Sequence, residues 1–155
     1  VDVRTAPGSR RHPHVGREQL ETWLPTAGIR YRWERRLGGW RKAGAGSPNG
    51  GLRNASFRGY ADWMATAEFG AALDLLVEEA GQRPTAAMCS EAVWWRCHRR
   101  LLADAAVLLR GLEVLHLGHD GNLTLHPPTP EAVRTEIGGR PVLRYPPAAG
   151  DPRAR

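Results

Sequence analysis

Apolar positions recur at helical spacing in four stretches of the chain. Leu20, Trp23, Leu24 and Ala27 fall at i, i+3, i+4 and i+7, which predicts a helix over 17–27 ended by Pro25 and Gly28. Phe57, Tyr60, Ala61 and Met64 predict a helix over 57–65. Phe69, Leu73, Leu76 and Val77 predict another over 67–80, with Gly81 as its stop. The strongest stripe is Trp94, Cys97, Leu101, Ala105 and Leu108, a helix over 94–110 closed by Gly111.

Shorter patterns of period two or continuous apolar character lie between these helices. Ile29, Tyr31 and Trp33 alternate with Arg30 and Arg32, as in a short strand with one polar face. Val1 to Arg4 reads as the end of a buried strand, 85–89 as a short buried strand and 113–117 as the next strand. A further short strand falls at 122–125, a short helix near 130–135, and a small hairpin from Ile137 to Tyr145 around Gly138-Gly139. Residues 34–55, with many glycines and the run Ser47-Pro48-Asn49-Gly50-Gly51, form a long loop. Strand, helix and strand in succession with short links predict an α/β fold, a mostly parallel sheet flanked by helices. Because the chain opens within a strand, a missing piece is expected ahead of Val1.

The 155 residues suit one domain, expected over 1–146, with a disordered Pro-, Ala- and Arg-rich tail over 147–155. No apolar run is long enough to span a membrane and no leader pattern opens the chain, so a cytoplasmic protein is expected. The net charge is +6 and is concentrated at the front: residues 1–60 hold 12 Arg and Lys against 4 Asp and Glu. A basic half suits an anionic partner, a small anionic or nucleotide-like molecule before nucleic acid, since no nucleic-acid-binding motif accompanies it. Of the basic residues only Lys42 is a lysine, so part of this excess is compositional bias toward arginine.

Both cysteines fall in Met88-Cys89-Ser90-Glu91-Ala92-Val93-Trp94-Trp95-Arg96-Cys97-His98-Arg99, where a strand is expected to end and a helix to begin. Three readings are open. Cys89 is a nucleophilic or redox thiol, with Glu91 and His98 moving protons and Cys97 resolving. Alternatively, Cys89, Cys97 and His98 bind a soft or borderline metal. Otherwise the cysteines are ordinary small core residues. Adjacent residues on one helix diverge by roughly 100°, which counts against Cys97 and His98 sharing a metal. Arg4, Arg96 and Arg99 are candidates for an anion clamp, with Asp2 and Ser9 as further substrate-binding candidates. Arg4 and Asp2 would meet Cys89 and Glu91 in one cleft if their strands were neighbours.

The run Met88-Cys89-x-Glu91 with Cys97-His98-Arg99 after it resembles the signature of the DUF488 family of bacterial and archaeal proteins. Asp2-Val3-Arg4 with Pro7 and Ser9-Arg10, Leu37-Gly38-Gly39, Phe57-x-x-Tyr60 and Gly138-Gly139 with Tyr145-Pro146 extend the resemblance over residues 1–146. It implies an α/β fold with a mostly parallel sheet, of which an N-terminal strand–helix unit ahead of Asp2-Val3-Arg4 is expected to be missing here. It names no activity, cofactor or substrate.

Overall fold

The computed structural model describes residues 1–150. Four helices carry it: α1 (Arg17–Thr26), α2 (Ala55–Met64), α3 (Ala67–Gln82) and α4 (Arg99–Arg110). Four strands come after α4: β1 (Leu115–Leu117), β2 (Leu123–Leu125), β3 (Val133–Ile137) and β4 (Arg140–Arg144). They form two separate antiparallel hairpins, β1 with β2 and β3 with β4. Among the described residues no helix is long and apolar enough to cross a membrane.

This corrects the expected parallel α/β sheet. Residues 1–3 do run between 32–34 and 86–88. Asp2 N–H donates to the Arg32 carbonyl, Val3 N–H to the Met88 carbonyl, and Met88 N–H to the Val1 carbonyl. Each pairing is a single parallel bridge at Asp2, to Trp33 on one side and to Met88 on the other. Neither partner can extend the ladder. After Trp33 the chain tightens into a 3₁₀ turn over Arg35–Leu37, where the Glu34 carboxylate accepts from Arg36 N–H. After Met88 it bends into the cysteine-bearing loop.

The three earlier helices lie close to their expected positions. α2 and α3 have side-chain caps that the sequence supplies: Asn54 accepts from Ser56 N–H and Thr66 from Phe69 N–H. α3 runs past Gly81 to Gln82. α4 ends at Gly111 in the left-handed conformation, φ 68°, as the glycine stop predicts. The helix expected over 94–110 is broken, however. Trp94–Arg96 is a 3₁₀ turn, Cys97 is extended (φ −116°, ψ 153°), and α4 begins only at Arg99.

In place of the helix expected near 130–135, a turn at 130–131 leads into β3. Val133, Thr135 and Ile137 are β-branched at alternate positions, a pattern that suits a strand better than a helix turn. Gly138 and Gly139 sit at φ 57° and 75°, the pair of positive angles that a tight two-residue hairpin turn demands.

One contiguous core joins α2, α3, α4 and β4. It centres on Tyr60, Phe69, Leu73, Leu101, Leu143 and Tyr145, with Val3 and Leu37 arriving from the bridged segments. Asp62 ties down the long glycine-rich loop, accepting from Gly44 N–H, the Ser47 hydroxyl and the Asn49 amide. Asn49 is fully buried and accepts from Tyr145 N–H, so the loop is fastened to β4 as well as to α2. Of the tail expected over 147–155, Pro147 lies against Gly50, and residues 151–155 fall outside the described residues.

Candidate metal-binding site

The break before α4 positions the site. Because Cys97 is extended and His98 is the first residue of the turn into the helix, their side chains are not splayed by helical phase. The angular objection to a shared ligand therefore disappears. One donor atom each from Cys89, Cys97 and His98 lies within 4.8 Å of the other two. Cys97 Sγ is 3.6 Å from His98 Nδ1.

The surroundings orient each donor. His98 Nε2 is 3.1 Å from the Val3 carbonyl, which can only accept, so Nε2 carries the proton and Nδ1 presents its lone pair toward the sulfurs. Tyr60 holds the imidazole edge-on, with ring centroids 5.0 Å apart, and donates its own hydroxyl to the Leu37 carbonyl. On the other face runs the Leu37-Gly38-Gly39 segment. A Cβ at Gly39 would stand 2.8 Å from His98 Nδ1, and one at Gly38 would stand 2.7 Å from Thr5 Oγ1 and 2.9 Å from the Arg35 carbonyl. Both glycines are needed for close approach, and this accounts for that part of the resemblance.

Two sulfurs this close share protons unequally. A hydrogen bond from Cys97 holds the Cys89 thiol well below its ordinary range, against the opposing effect of burial, with help from the Glu91 backbone N–H. The same bond, with burial, pushes Cys97 up. Arg99 offsets part of this: its backbone N–H and its Nε lie 3.5 and 3.4 Å from Cys97 Sγ. Its far end donates to the Glu91 carbonyl, which clamps the 89–99 loop shut on one side.

The side chains of the remaining sequence candidates make no hydrogen bond to the sulfurs. The Glu91 side chain is exposed, and Glu91 touches the sulfurs only through its backbone. Arg96 is exposed with no ion pair among the described residues. Asp2 and Arg4 are buried as a pair: Arg4 Nε donates to the carboxylate at 2.9 Å, its Nη1 to the Val15 carbonyl, and Tyr31 adds a hydroxyl to Asp2 at 2.6 Å. Neither makes a hydrogen bond to Cys89 or Glu91. Ser9 accepts from His12 N–H and lines a hollow of about 460 Å³ with Pro7, Arg17 and Glu21. None of that lining belongs to the cysteine loop. Trp40 is 85% exposed, and none of the six tryptophans reaches the fully buried interior.

Sequence reasoning missed a second polar cluster beside this loop. Asp104 is fully buried in α4 and accepts from His126 Nε2 (2.9 Å), Thr129 N–H (2.8 Å) and the Tyr145 hydroxyl (3.0 Å). His126 Nδ1 faces His116 Nε2 at 2.9 Å. His116 in turn stacks flat on Trp94, centroids 3.8 Å apart and planes 2° from parallel. One signal was available, an aspartate three residues after Leu101 and one before Ala105, inside the apolar side of its helix.

Four helices and two hairpins that gather two thiols and one imidazole at a single loop define a small domain with a clustered sulfur–imidazole centre. The chain belongs to the family described as domain of unknown function DUF488, whose model matches residues 1–106 and so includes the whole cysteine loop and Asp104. A search of the curated proteins finds no match, and a search of the solved structures finds none.

Proposed function

We propose that Cys89, Cys97 and His98 bind one borderline divalent cation and leave a coordination position open for a small molecule. The observation that carries this reading is the convergence of three donor atoms with the imidazole tautomer already set. Tetrahedral zinc with sulfur at about 2.3 Å and nitrogen at about 2.0 Å puts those two ligands about 3.5 Å apart. Cys97 Sγ and His98 Nδ1 stand 3.6 Å apart. Three protein ligands is the number found in zinc sites that keep a position for water or substrate. N–H groups of Glu91 and Arg99 directed at the two sulfurs are the outer contacts that such thiolates need. Arg96, exposed and free of an ion pair among the described residues, would take an anionic group of that small molecule.

Cobalt tests the proposal, because thiolate ligands give Co(II) an intense charge-transfer absorption. Protein purified without an affinity tag and stripped by chelation is expected to take up one Co(II) per chain with that band. Cys89→Ser and Cys97→Ser should each abolish it. A wild-type chain that shows no thiolate band at saturating Co(II) overturns the metal reading. The lowered Cys89 thiol favours a second reading, nucleophilic thiol chemistry without metal. That reading expects Cys89 to be alkylated at pH 6 far faster than after denaturation.

A further inference from the structure

The buried acid in α4 fixes the protons of two histidines in series. A carboxylate only accepts, so His126 Nε2 carries the hydrogen that bridges to Asp104 at 2.9 Å. That leaves His126 Nδ1 as an acceptor, and the 2.9 Å contact to His116 Nε2 places a proton on the latter. His116 Nδ1 is then a bare lone pair. It has no hydrogen-bond partner among the described residues. It is also absent from the sealed, unpartnered polar atoms, which are Thr5 Oγ1 and Arg140 Nε alone among those residues. The outer end of the chain therefore opens outward, while every inner link is satisfied.

The His116 ring itself lies against the cysteine loop. Trp94 covers the His116 ring and sits three residues before Cys97. Arg99, whose guanidinium lies on the Cys97 sulfur, also acts on His116 by its charge. The titratable and charged groups that act on His116 are thus His126 on the hairpin side and Arg99 from α4, with Asp104 one step further in, behind His126.

We infer that Asp104, His126 and His116 form an inward proton relay whose outer atom, His116 Nδ1, is the base for chemistry at the cysteine loop. The loop's role in chemistry rests on the proposed function. An O–H or N–H of the bound molecule loses its proton, and an N–H bond forms at His116 Nδ1. The His116 Nε2–H bond breaks as that proton passes to His126 Nδ1. His116 ends neutral in its other tautomer, the bound molecule is an anion, and the positive charge rests on His126 against the Asp104 carboxylate. A lone buried histidine would have to hold that charge uncompensated. Burial, together with the charges of His126 and Arg99, lowers His116 to about 4, so at neutral pH its lone pair is free.

The test is nuclear magnetic resonance of the wild-type chain labelled with ¹⁵N histidine, with His116→Gln and His126→Gln used only to assign signals. At pH 7.5 both rings are expected as Nε2–H tautomers, with His116 Nδ1 unprotonated. Diethyl pyrocarbonate should acylate His116 at least tenfold faster than His126. Zinc is then added while bound zinc is measured separately, and the His116 titration is expected to move to lower pH. A protonated Nδ1 on His116, or no acylation preference, overturns the relay. Bound zinc that leaves the His116 titration unmoved overturns its service to the cysteine loop. Failure to bind zinc overturns the metal reading alone, and the relay is then decided by tautomer and acylation.

Discussion

The two polar clusters at the start of α4 are built on opposite plans. Cys89, Cys97 and His98 come from one ten-residue loop, and their donor atoms converge on one another within 4.8 Å. Asp104, His126, Thr129 and Tyr145 come from distant parts of the chain, and the carboxylate is saturated by three donors. A cluster drawn from one loop can lose a member without separating elements. A cluster that joins a helix to two hairpins cannot, because each lost partner strands a buried polar group. The first plan suits exchangeable ligands and the second suits holding the fold.

That contrast can be broken by experiment. Asp104→Ala should have the largest effect, since it leaves His126, Thr129 and Tyr145 donors unpaired in the interior. A loss of about 3–5 kcal/mol in urea unfolding is expected, whereas a loss no larger than that of Cys97→Ala would erase the distinction. Acid should act next, through the second cluster. His116 has its pKa lowered by burial and by the charges of His126 and Arg99, to about 4 in the folded chain. It therefore adds stability above the ordinary histidine value of about 6.5 that is lost as pH falls from there toward about 4. Unfolding free energy measured at pH 7.5 and 5 should drop more for wild type than for His116→Gln.

Gly39→Ala tests the first cluster. Its methyl group would stand 2.8 Å from His98 Nδ1 on a backbone any residue can adopt. Cobalt affinity should fall by roughly tenfold or more, the scale of disturbed outer contacts at metal sites. Unchanged affinity would show that Nδ1 is not a ligand. The smallest effect is expected from Leu117→Ser on the outer face of β1, under about 0.5 kcal/mol, because Leu117 is 72% exposed.

The leucines of that hairpin also show where the sequence misleads. Leu115-His116-Leu117 and Leu123-Thr124-Leu125 alternate in a way that predicts leucine inward. In the structure Leu115, Leu117, Leu123 and Leu125 all face out, while His116 is buried. His126 and Trp94 reverse the usual order by offering the imidazole a partner and a stacking face, and no local pattern announces either. The helices were legible because periodicity and caps act within a few residues. The parallel sheet was not, for a related reason: 1–4, 29–33 and 85–89 have strand-like composition, but pairing length depends on the turn that each segment enters at its end. The cysteine loop was legible as a group of residue types, and its convergence was half legible. Helix phase set Cys97 and His98 on the side near Cys89, but the divergence of roughly 100° between helical neighbours counted against a shared ligand. That divergence does not arise, because α4 starts at Arg99, two residues after Cys97.

The closeness of Gly39 to His98 also bears on motion. The imidazole lies between the Gly39 backbone and the Tyr60 ring, with Nε2 bonded to Val3. A half-turn of that ring about the Cβ–Cγ bond would put Cδ2 in the place of Nδ1 and Cε1 in the place of Nε2, and would require the 38–43 loop to lift. That loop is held at its far side by Gly59, whose missing side chain lets α2 touch the backbone of residues 41–43, and by Arg41 lying 4.0 Å over the Trp63 ring. Ring reversal at His98 is thus slaved to opening of a loop more than fifty residues away in sequence. The lifetime of any bond to Nδ1 is set there as much as at the sulfurs.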